Sequence, residues 1–357
     1  MTHISKKILY IGQMLNFSTC AARMRSLQEL GCVTVPFDIS PYTAYPRRVF
    51  RTLAHRTNFG PPVSALNRDV VQFVEINSAD VTHVWIDKGK WLYPETIQAM
   101  QRVTGAPVIH YTPDSHFFAN ISRHFFASIP FYDLLFTTKK FEVDLYRKRG
   151  ARQIHFIDQG YDSTHLFPRD LGHEEQRRFG SDLCFAGRCE PHYVKSLKIA
   201  FRVEGRHRVW GPGWRRYTRL HPWIRTAFSG DGVWGDDYAR AVNGATIALC
   251  LLTKQNGNDT TTTRTFEIPG CGGFMLAERT EDHLALFEEG KEAEFFGNPE
   301  ELIEKIRYYL RHPDDRKRIA TAGHQRCITS GYSNHHRAMQ MLEVIDELRP
   351  PPTQEDN

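Results

Sequence analysis

The sequence has no long hydrophobic run. No apolar stretch approaches the roughly 20 residues that a membrane-spanning helix requires. The first residues, Met-Thr-His-Ile-Ser-Lys-Lys, lead into a short strand-like segment and not into the apolar core of a signal peptide. These absences exclude an integral membrane protein and favour a cytoplasmic location.

The sequence also lacks the spaced ligand pairs of metal sites. Its seven cysteines are scattered without a Cys-x-x-Cys pair, and its 17 histidines include no His-Glu-x-x-His motif. An odd number of dispersed cysteines predicts buried free thiols in a reducing compartment. We therefore predict no metal and no cofactor.

Composition shows no bias towards disorder or towards a basic protein. Hydrophobic residues make up 41% and charged residues 24%, both ordinary for a soluble globular protein. The net charge of +5 arises partly from local patches, such as residues 47–56 and 214–225, and no nucleic-acid motif accompanies them. We predict no nucleic-acid partner.

The glycine fingerprint of dinucleotide-binding oxidoreductases is missing as well. Residues 12–17, which follow the first strand-like segment, read Gly-Gln-Met-Leu-Asn-Phe and lack the Gly-x-Gly-x-x-Gly that lets a backbone approach a pyrophosphate closely. A nicotinamide-dependent enzyme is therefore disfavoured.

Strand-like and helix-like segments alternate through the sequence, which predicts an α/β fold with parallel sheets. With 357 residues the chain is long enough for two domains. We predict two Rossmann-like, doubly wound domains facing a central cleft, with ligands at the carboxyl ends of the strands. The predicted strands are residues 7–12, 32–38, 81–87, 107–111 and 134–138, and then 183–187, 208–211, 246–251 and 273–276.

Residues 258–274 carry the strongest functional signal. A threonine-rich loop precedes a segment with one cation, Arg264, and one carboxylate, Glu267. The N–H groups of a helix start suit a phosphate, and the hydroxyls of Thr262 and Thr263 can cap those groups or reach the phosphate. Arg264 supplies a charge-assisted fork, and Glu267 can accept from vicinal hydroxyls. Groups that suit a phosphate beside a group that suits vicinal hydroxyls predict a site for a nucleotide.

Three segments, in order, resemble retaining glycosyltransferases with the GT-B fold. Residues 159–168 resemble the Gly-x-Asp-x-x-x-Phe-x-Pro segment between the two domains, and Phe185-Ala186-Gly187-Arg188 stands where the second domain's first strand and glycine turn belong. Residues 264–273 resemble the corresponding segment of the CgeB-like, or spore maturation protein, group. The resemblance covers about nine-tenths of the chain.

The resemblance implies a nucleotide-sugar donor in the C-terminal domain and an acceptor in the N-terminal domain. Glu267 would accept hydrogen bonds from the donor ribose, and Arg188 and Lys195 would contact its phosphates. Asp259, eight residues before Glu267, stands where many relatives carry a glutamate that contacts the donor sugar. Gly12, in the first βα turn, would lie beside the donor, although a tight turn alone also explains a glycine there. Transfer is expected to be metal-independent and retaining.

Two further polar residues follow a strand in the first half. Asp114 and His116 lie in Tyr-Thr-Pro-Asp-Ser-His and could orient a sugar hydroxyl, or take the acceptor's proton in an inverting mechanism. Pro-Asp-Ser is also favourable turn chemistry, so turn formation and packing form the alternative interpretation.

Residues 47–56 combine arginines with apolar residues in a helical pattern. Such a helix could rest on an anionic membrane at the inner face and present a lipid-linked acceptor, or it could simply be a solvated helix over the core. We predict an acceptor-side domain at 1–165, a donor-side domain at 166–332, a helix at 333–350 that packs back on the first domain, and a disordered tail at 351–357.

The sequence thus predicts a glycosyltransferase acting on a saccharide, lipid-linked or protein acceptor. A nucleotide-sugar epimerase on the same fold and a non-catalytic nucleotide-sugar-binding protein are the alternatives. The nucleotide base, the sugar, the acceptor and the stereochemical outcome do not follow from the sequence.

Overall fold

The computed structural model describes residues 6–348, and the chain divides into two compact units. The first unit takes the chain up to Asp158, together with Gln255–Gly257 and the chain from His335 onward. The second unit comprises Gln159–Lys254 and Asn258–Asn334. The division falls between Asp158 and Gln159, whereas the sequence suggested a boundary after residue 165.

The first unit is built on a six-stranded parallel sheet with the order β2-β1-β3-β4-β5-β6. Because β1 pairs with both β2 and β3, the chain reverses its direction of winding between β1 and β3. The strands are β1 (Lys7–Gly12), β2 (Val33–Asp38), β3 (His83–Asp87), β4 (Val108–Thr112), β5 (Leu134–Thr137) and β6 (Ile154–Phe156). The helices between them are α1 (Thr19–Glu29), α2 (Ser40–Thr43), α3 (Arg48–Thr57), α4 (Pro61–Asn77), α5 (Pro94–Thr104), α6 (Arg123–Ser128) and α7 (Val143–Lys148).

The second unit repeats this plan with the strand order β12-β11-β10-β7-β8-β9. Here β7 pairs with both β10 and β8, and the winding reverses between β7 and β10. The strands are β7 (Ser181–Ala186), β8 (His207–Trp210), β9 (Phe228–Gly230), β10 (Ala245–Cys250), β11 (Met275–Glu278) and β12 (Glu294–Phe296). The helices are α8 (His173–Phe179), α9 (Pro191–Ala200), α10 (Pro222–Ala227), α11 (Asp236–Asn243), α12 (Thr263–Gly270), α13 (Glu281–Leu286), α14 (Pro299–Arg311) and α15 (Pro313–Thr329).

The last helix, α16 (Asn334–Asp346), returns to the first unit. Its residues Ala338, Met341 and Ile345 are buried in the same apolar cluster as Ile8 and Tyr10 of β1. The predicted tail at 351–357 lies outside the described residues.

The prediction of an α/β fold with two parallel sheets is confirmed. Central strands are buried on both faces and read as short apolar runs, which is why the sequence revealed them. The strands β6, β9 and β12 were missed, because three residues are too few to show a pattern. Among the described residues, no helix is both long enough and apolar enough to cross a bilayer.

Each sheet is covered on both faces by an apolar core. In the first unit the two cores centre on Leu9 and Val84 on one face and on Tyr10 and Trp85 on the other. The second unit has an equivalent pair. All seven cysteines are buried free thiols, as the sequence predicted.

Candidate functional site

Arg264 lies at the point where the winding of the second sheet reverses. It belongs to the first turn of α12, and its Nη2 donates to the carbonyl oxygen of Leu251 (2.6 Å) and to the hydroxyl of Tyr193 (3.2 Å). Its Nη1 lies 3.5 Å from the carbonyl oxygen of Ala186. Leu251 follows β10 and Ala186 ends β7, so the guanidinium is fixed at the carboxyl ends of these two strands. This is the position at which parallel sheets bind ligands.

The loop after β7 is shaped around this guanidinium. A Cβ on Gly187 would come within 2.9 Å of Arg264 Nη1 and 3.0 Å of the Phe185 ring. The indole nitrogen of Trp214 donates to the carbonyl oxygen of Gly187 at 2.8 Å and fixes the loop from the other side. Gly187 is therefore a glycine because the backbone passes directly beside Arg264.

Glu267 lies three residues after Arg264, on the same face of α12. Its side chain is half-buried. Burial raises the pKa of this carboxyl, while the Arg264 charge and hydrogen bonds from Thr263 and Tyr238 act in the opposite direction. Helix α12 thus carries one carboxyl group and one guanidinium three residues apart, and their predicted contact with a donor stays a prediction.

A buried hydrogen-bond chain holds the start of α12. The backbone N–H of Thr262 donates to Thr265 Oγ1 at 3.1 Å, and Thr265 Oγ1 lies 2.8 Å from His283 Nε2. His283 Nδ1 lies 2.7 Å from the carbonyl oxygen of Glu278, and burial lowers the pKa of this histidine. A neutral His283 that donates from Nδ1 and accepts from Thr265 satisfies every contact.

At the start of α12 the Thr265 N–H donates to the carbonyl oxygen of Thr262 at 3.0 Å, whereas the amides of Thr263 and Arg264 have no acceptor inside the helix. Thr262 is the N-cap, and both Thr262 and Thr263 are half-buried. These amides and hydroxyls suit an anion, since the positive end of the helix dipole adds to their effect. Arg264 therefore has anion-binding groups as its immediate neighbours.

Arg188 and Lys195 are both exposed side chains of the second unit. Arg188 directly follows the loop glycine Gly187, at the carboxyl end of β7, and no hydrogen bond or ion pair occupies it among residues 6–348. Lys195 lies in α9, one turn after its start. The position of Arg188 suits a phosphate contact, whereas no contact links Lys195 to Arg264 in the described part of the chain.

Asp259, the predicted contact of the donor sugar, is buried in this structure. Its side chain is only 7% exposed. The adjacent Thr260 is tied to α13, because its side chain bonds to Asp282 and its carbonyl oxygen accepts from Thr280 Oγ1 at 2.9 Å. Contact between Asp259 and a donor sugar would require this anchored loop to expose the carboxylate.

Gly12 ends β1 in the first unit, and packing alone explains it. An added Cβ would lie 2.4 Å from Cys20 Sγ and 3.1 Å from the Cβ of Asp87. Gly12 is also buried. The predicted donor contact of Gly12 therefore finds no support in its surroundings.

Asp114 forms an ion pair that the sequence did not reveal. Lys88 Nζ lies 2.7 Å from Asp114 Oδ2, and the two side chains are 42% and 38% exposed. Burial favours the protonated acid, but the neighbouring Lys88 and Lys139 charges outweigh it, so the pKa of Asp114 is lowered. Lys88 adopts a left-handed backbone conformation (φ 70°), which is unusual for a non-glycine residue and common at functional sites.

His116 belongs to the core, which corrects the prediction that it lies at the mouth of a site. It is 1% exposed, and its ring stacks on Phe125 with 3.8 Å between centroids. Nδ1 contacts the carbonyl oxygen of Asn120 at 3.2 Å, and Nε2 is buried without a partner. Burial and the nearby His110 lower the pKa of His116 to about 3. A neutral, enclosed imidazole does not reach an acceptor hydroxyl.

A second feature missed by the sequence is a buried charge pair at the winding reversal of the first sheet. Arg23 of α1 donates to Asp87 Oδ2 through Nε (3.0 Å) and Nη2 (2.7 Å), and the Tyr10 hydroxyl donates to the same oxygen at 3.1 Å. The guanidinium also stacks 3.7 Å from the centroid of Tyr111. The pair connects α1 to the end of β3. Because both charges are almost fully buried, the pair is not open to a ligand.

No group of three His, Cys, Asp or Glu side chains suited to a metal ion occurs in residues 6–348. The sequence predicts a reaction that needs no metal, and this stays a prediction.

Comparison with known proteins shows what this chain is similar to. Residues 192–343 match the family described as "Glycosyl transferase-like". The match contains α12 with Arg264 and Glu267 and most of the second unit. No curated protein matches the chain significantly. Residues 192–343 are therefore similar to glycosyl transferase-like domains.

Solved structures similar to the whole chain include several glycosyltransferases with the GT-B fold and also a putative UDP-N-acetylglucosamine 2-epimerase. A glycosyltransferase from Rickettsia africae has a TM-score of 0.67 at 12% identity, covering 97% of this chain and 99% of its own. Sucrose-phosphate synthase from Thermosynechococcus elongatus has a TM-score of 0.66 at 12% identity, with 96% and 99% covered. HepE from Anabaena, solved in complex with UDP-glucose, has a TM-score of 0.63 at 14% identity, with 96% and 100% covered. The chain thus has the GT-B fold.

Proposed function

We propose that the protein is a glycosyltransferase that takes a sugar from a nucleotide-diphosphate donor bound by the second unit. The observation that carries the proposal is the placement of Arg264 and Glu267, three residues apart on one helix, at the winding reversal of the second sheet. The glycosyl transferase-like match over residues 192–343 supports it. HepE binds UDP and UDP-glucose on the same fold, which makes UDP-sugars the first donors to test.

In this proposal, phosphates bind at the start of α12 and ribose binds at Glu267. The Nη2 atom of Arg264 is held by the protein, so the guanidinium needs no reorganisation when charge develops on the departing diphosphate. Arg188 supplies a second, exposed cation from the loop after β7. The half-buried carboxylate of Glu267 accepts from the vicinal hydroxyls of the ribose.

The first unit supplies the acceptor side in this proposal. Asp114 is held as a carboxylate by Lys88 and can accept a hydrogen bond from a sugar hydroxyl. A carboxylate with a lowered pKa is a weak general base. The proposal therefore assigns Asp114 to orientation, in line with a retaining, metal-independent transfer and with a place in the CgeB-like group.

Thermal unfolding with a panel of UDP-, GDP- and dTDP-sugars tests the donor site. A donor at about 100 times its Kd adds about 2.7 kcal/mol of stability, enough to raise the Tm by several degrees. Glu267→Gln removes the charge from the ribose contact, which weakens binding roughly tenfold or more. Arg264→Met should abolish the response.

Glu304→Gln is the matched control, because Glu304 is an exposed carboxylate on α14 of the same unit. It should keep the full donor response. If no nucleotide sugar stabilises the wild type, or if Glu304→Gln and Glu267→Gln lose the response equally, the donor site is wrong.

Product analysis separates the proposed function from its two alternatives. An epimerase converts the nucleotide sugar when incubated with donor alone. A glycosyltransferase releases nucleoside diphosphate with a suitable acceptor, whereas a non-catalytic binding protein does neither.

A further inference from the structure

One surface of the first unit combines exposed apolar side chains with arginines. Val49, Leu53, Phe59 and Ile121 are 77%, 45%, 48% and 55% exposed, and an exposed cluster of large apolar side chains is unusual. We call this surface the basic apolar surface; it consists of Arg47, Arg48, Val49, Leu53, Arg56, Phe59, Ile121 and Arg123.

Helix α3 lies on the outside of the unit. Ala54 is its one buried residue. Val49 and Leu53 are four positions apart and share a face, and Arg48 and Arg56 lie along one side of that face. The helix therefore exposes an apolar strip beside a basic strip.

Asn58 joins α3 to the segment after β4. It caps α3 in the left-handed conformation (φ 60°) and is 9% exposed. Its Nδ2 donates to the carbonyl oxygen of Ile121 at 3.0 Å, and its Oδ1 accepts from the indole of Trp91 at 3.1 Å. The Phe59 ring packs 4.5 Å from the His124 ring. These contacts hold Leu53, Phe59 and Ile121 on one preformed surface.

The surface is positively charged without compensation. Residues 39–68 contain five arginines and no aspartate or glutamate. No carboxylate pairs with Arg47, Arg48, Arg56 or Arg123 anywhere in the part of the chain that the structure describes. A partner with negative charge is therefore indicated.

The apolar component distinguishes between anionic partners. Exposed Val, Leu and Ile side chains gain free energy by entering an acyl layer. Phe59 is the one aromatic ring among these eight residues, whereas single-stranded nucleic acids stack successive bases on several aromatic side chains. A lipid bilayer fits both the charge and the aliphatic side chains.

The surface also has a defined place in the fold. Helix α3 follows the carboxyl end of β2, and Ile121 follows the carboxyl end of β4. The basic apolar surface therefore lies at the same edge of the first sheet as the Lys88–Asp114 pair, because Lys88 follows β3 and Asp114 follows β4.

We propose that the basic apolar surface docks the protein peripherally on an anionic lipid bilayer. The arginines contact lipid phosphates, and Val49, Leu53, Phe59 and Ile121 enter the boundary between headgroups and acyl chains. Together with the proposed function, on which this step rests, docking favours a lipid-linked acceptor over a soluble saccharide or protein.

Sedimentation of the full chain with vesicles tests the proposal. Vesicles of phosphatidylcholine with 30% phosphatidylglycerol should bind the protein, and vesicles of phosphatidylcholine alone should bind it much less. Each arginine near an anionic surface contributes about fivefold, so Arg48→Gln/Arg56→Gln should lower partitioning by about 25-fold. Val49→Ser/Leu53→Ser should lower it by at least about tenfold, since the aliphatic groups no longer enter the acyl region.

The matched control is Arg102→Gln/Lys148→Gln. Both side chains are exposed, and they lie in the last turns of α5 and α7, which lead to the amino ends of β4 and β6 at the opposite edge of the sheet. This control removes two positive charges and should leave vesicle binding unchanged. An equal loss in the control, or no binding to anionic vesicles, would overturn the proposal.

A single-stranded oligonucleotide supplies the competing outcome. Oligonucleotide binding that depends on Arg48 and Arg56, with vesicle binding unaffected by Val49→Ser/Leu53→Ser, would show a nucleic-acid surface and overturn the proposal. Vesicle binding is measured without nucleotide and the donor response without vesicles, so failure of one is distinguishable from failure of the other.

Discussion

The burial of His116 predicts how the stability of the protein depends on pH. The pKa of its imidazole falls from the ordinary 6.5 to about 3 in the folded state, mainly because burial disfavours the charged form. The unfolded chain therefore binds a proton between these values that the folded chain does not. The stability contributed by a neutral His116 is complete above pH 6.5 and is lost as the pH falls towards 3.

The magnitude follows from the size of the shift. At about pH 4.5, two units below the ordinary pKa, protonation of the unfolded state costs the fold about 2.7 kcal/mol through this residue alone. His116→Phe keeps the stack on Phe125 and removes the titration. It loses one hydrogen bond, to Asn120, worth about 1 kcal/mol.

Urea unfolding at pH 7 and pH 4.5 measures the effect. His116→Phe should lie within about 1 kcal/mol of wild type at pH 7 and should be about 2 kcal/mol more stable than wild type at pH 4.5. His173→Gln, at an exposed histidine that begins α8, should follow wild type at both values. If the difference between His116→Phe and wild type is the same at both pH values, the assignment of His116 to the neutral core is wrong.

Two further predictions concern charges of the first unit. Arg23→Met should destabilise the fold by about 3 to 5 kcal/mol in urea unfolding, because it leaves the carboxylate of Asp87, 1% exposed, without its partner; a loss below about 1 kcal/mol would contradict this. Lys88→Met should raise the pKa of Asp114, because burial then acts without the ammonium that now outweighs it; NMR titration of the carboxyl would show this, and an unchanged pKa would refute the assigned pairing.

The sequence indicated those residues of the candidate site that lie close together in the chain. Arg264 and Glu267 are three residues apart, and the threonines that begin their helix precede them directly. A local segment of this kind carries its own geometry, since helix spacing and capping fix which side chains point the same way.

Features that depend on distant residues were not predictable. The pairing of Lys88 with Asp114 joins the ends of two adjacent strands. The burial of His116 depends on Phe125, which comes from the following helix. A sequence pattern shows that an imidazole follows a strand, but it does not show which neighbour will enclose it.

Residue type was also insufficient to separate structural from functional roles. Gly12 stands in a βα turn. A side chain at this position would collide with the Cys20 thiol and approach the side chain of Asp87, which is distant in the chain. Gly187, by contrast, is a glycine because the backbone passes beside Arg264. The two glycines look alike in the sequence, and only their tertiary neighbours distinguish them.

A structure of the protein with a bound UDP-sugar tests the central claim most directly. The account predicts the diphosphate at the start of α12 beside Arg264, with the ribose hydroxyls within hydrogen-bonding distance of the Glu267 carboxylate. A nucleotide bound elsewhere, with Glu267 and Arg264 out of contact with it, would contradict the account.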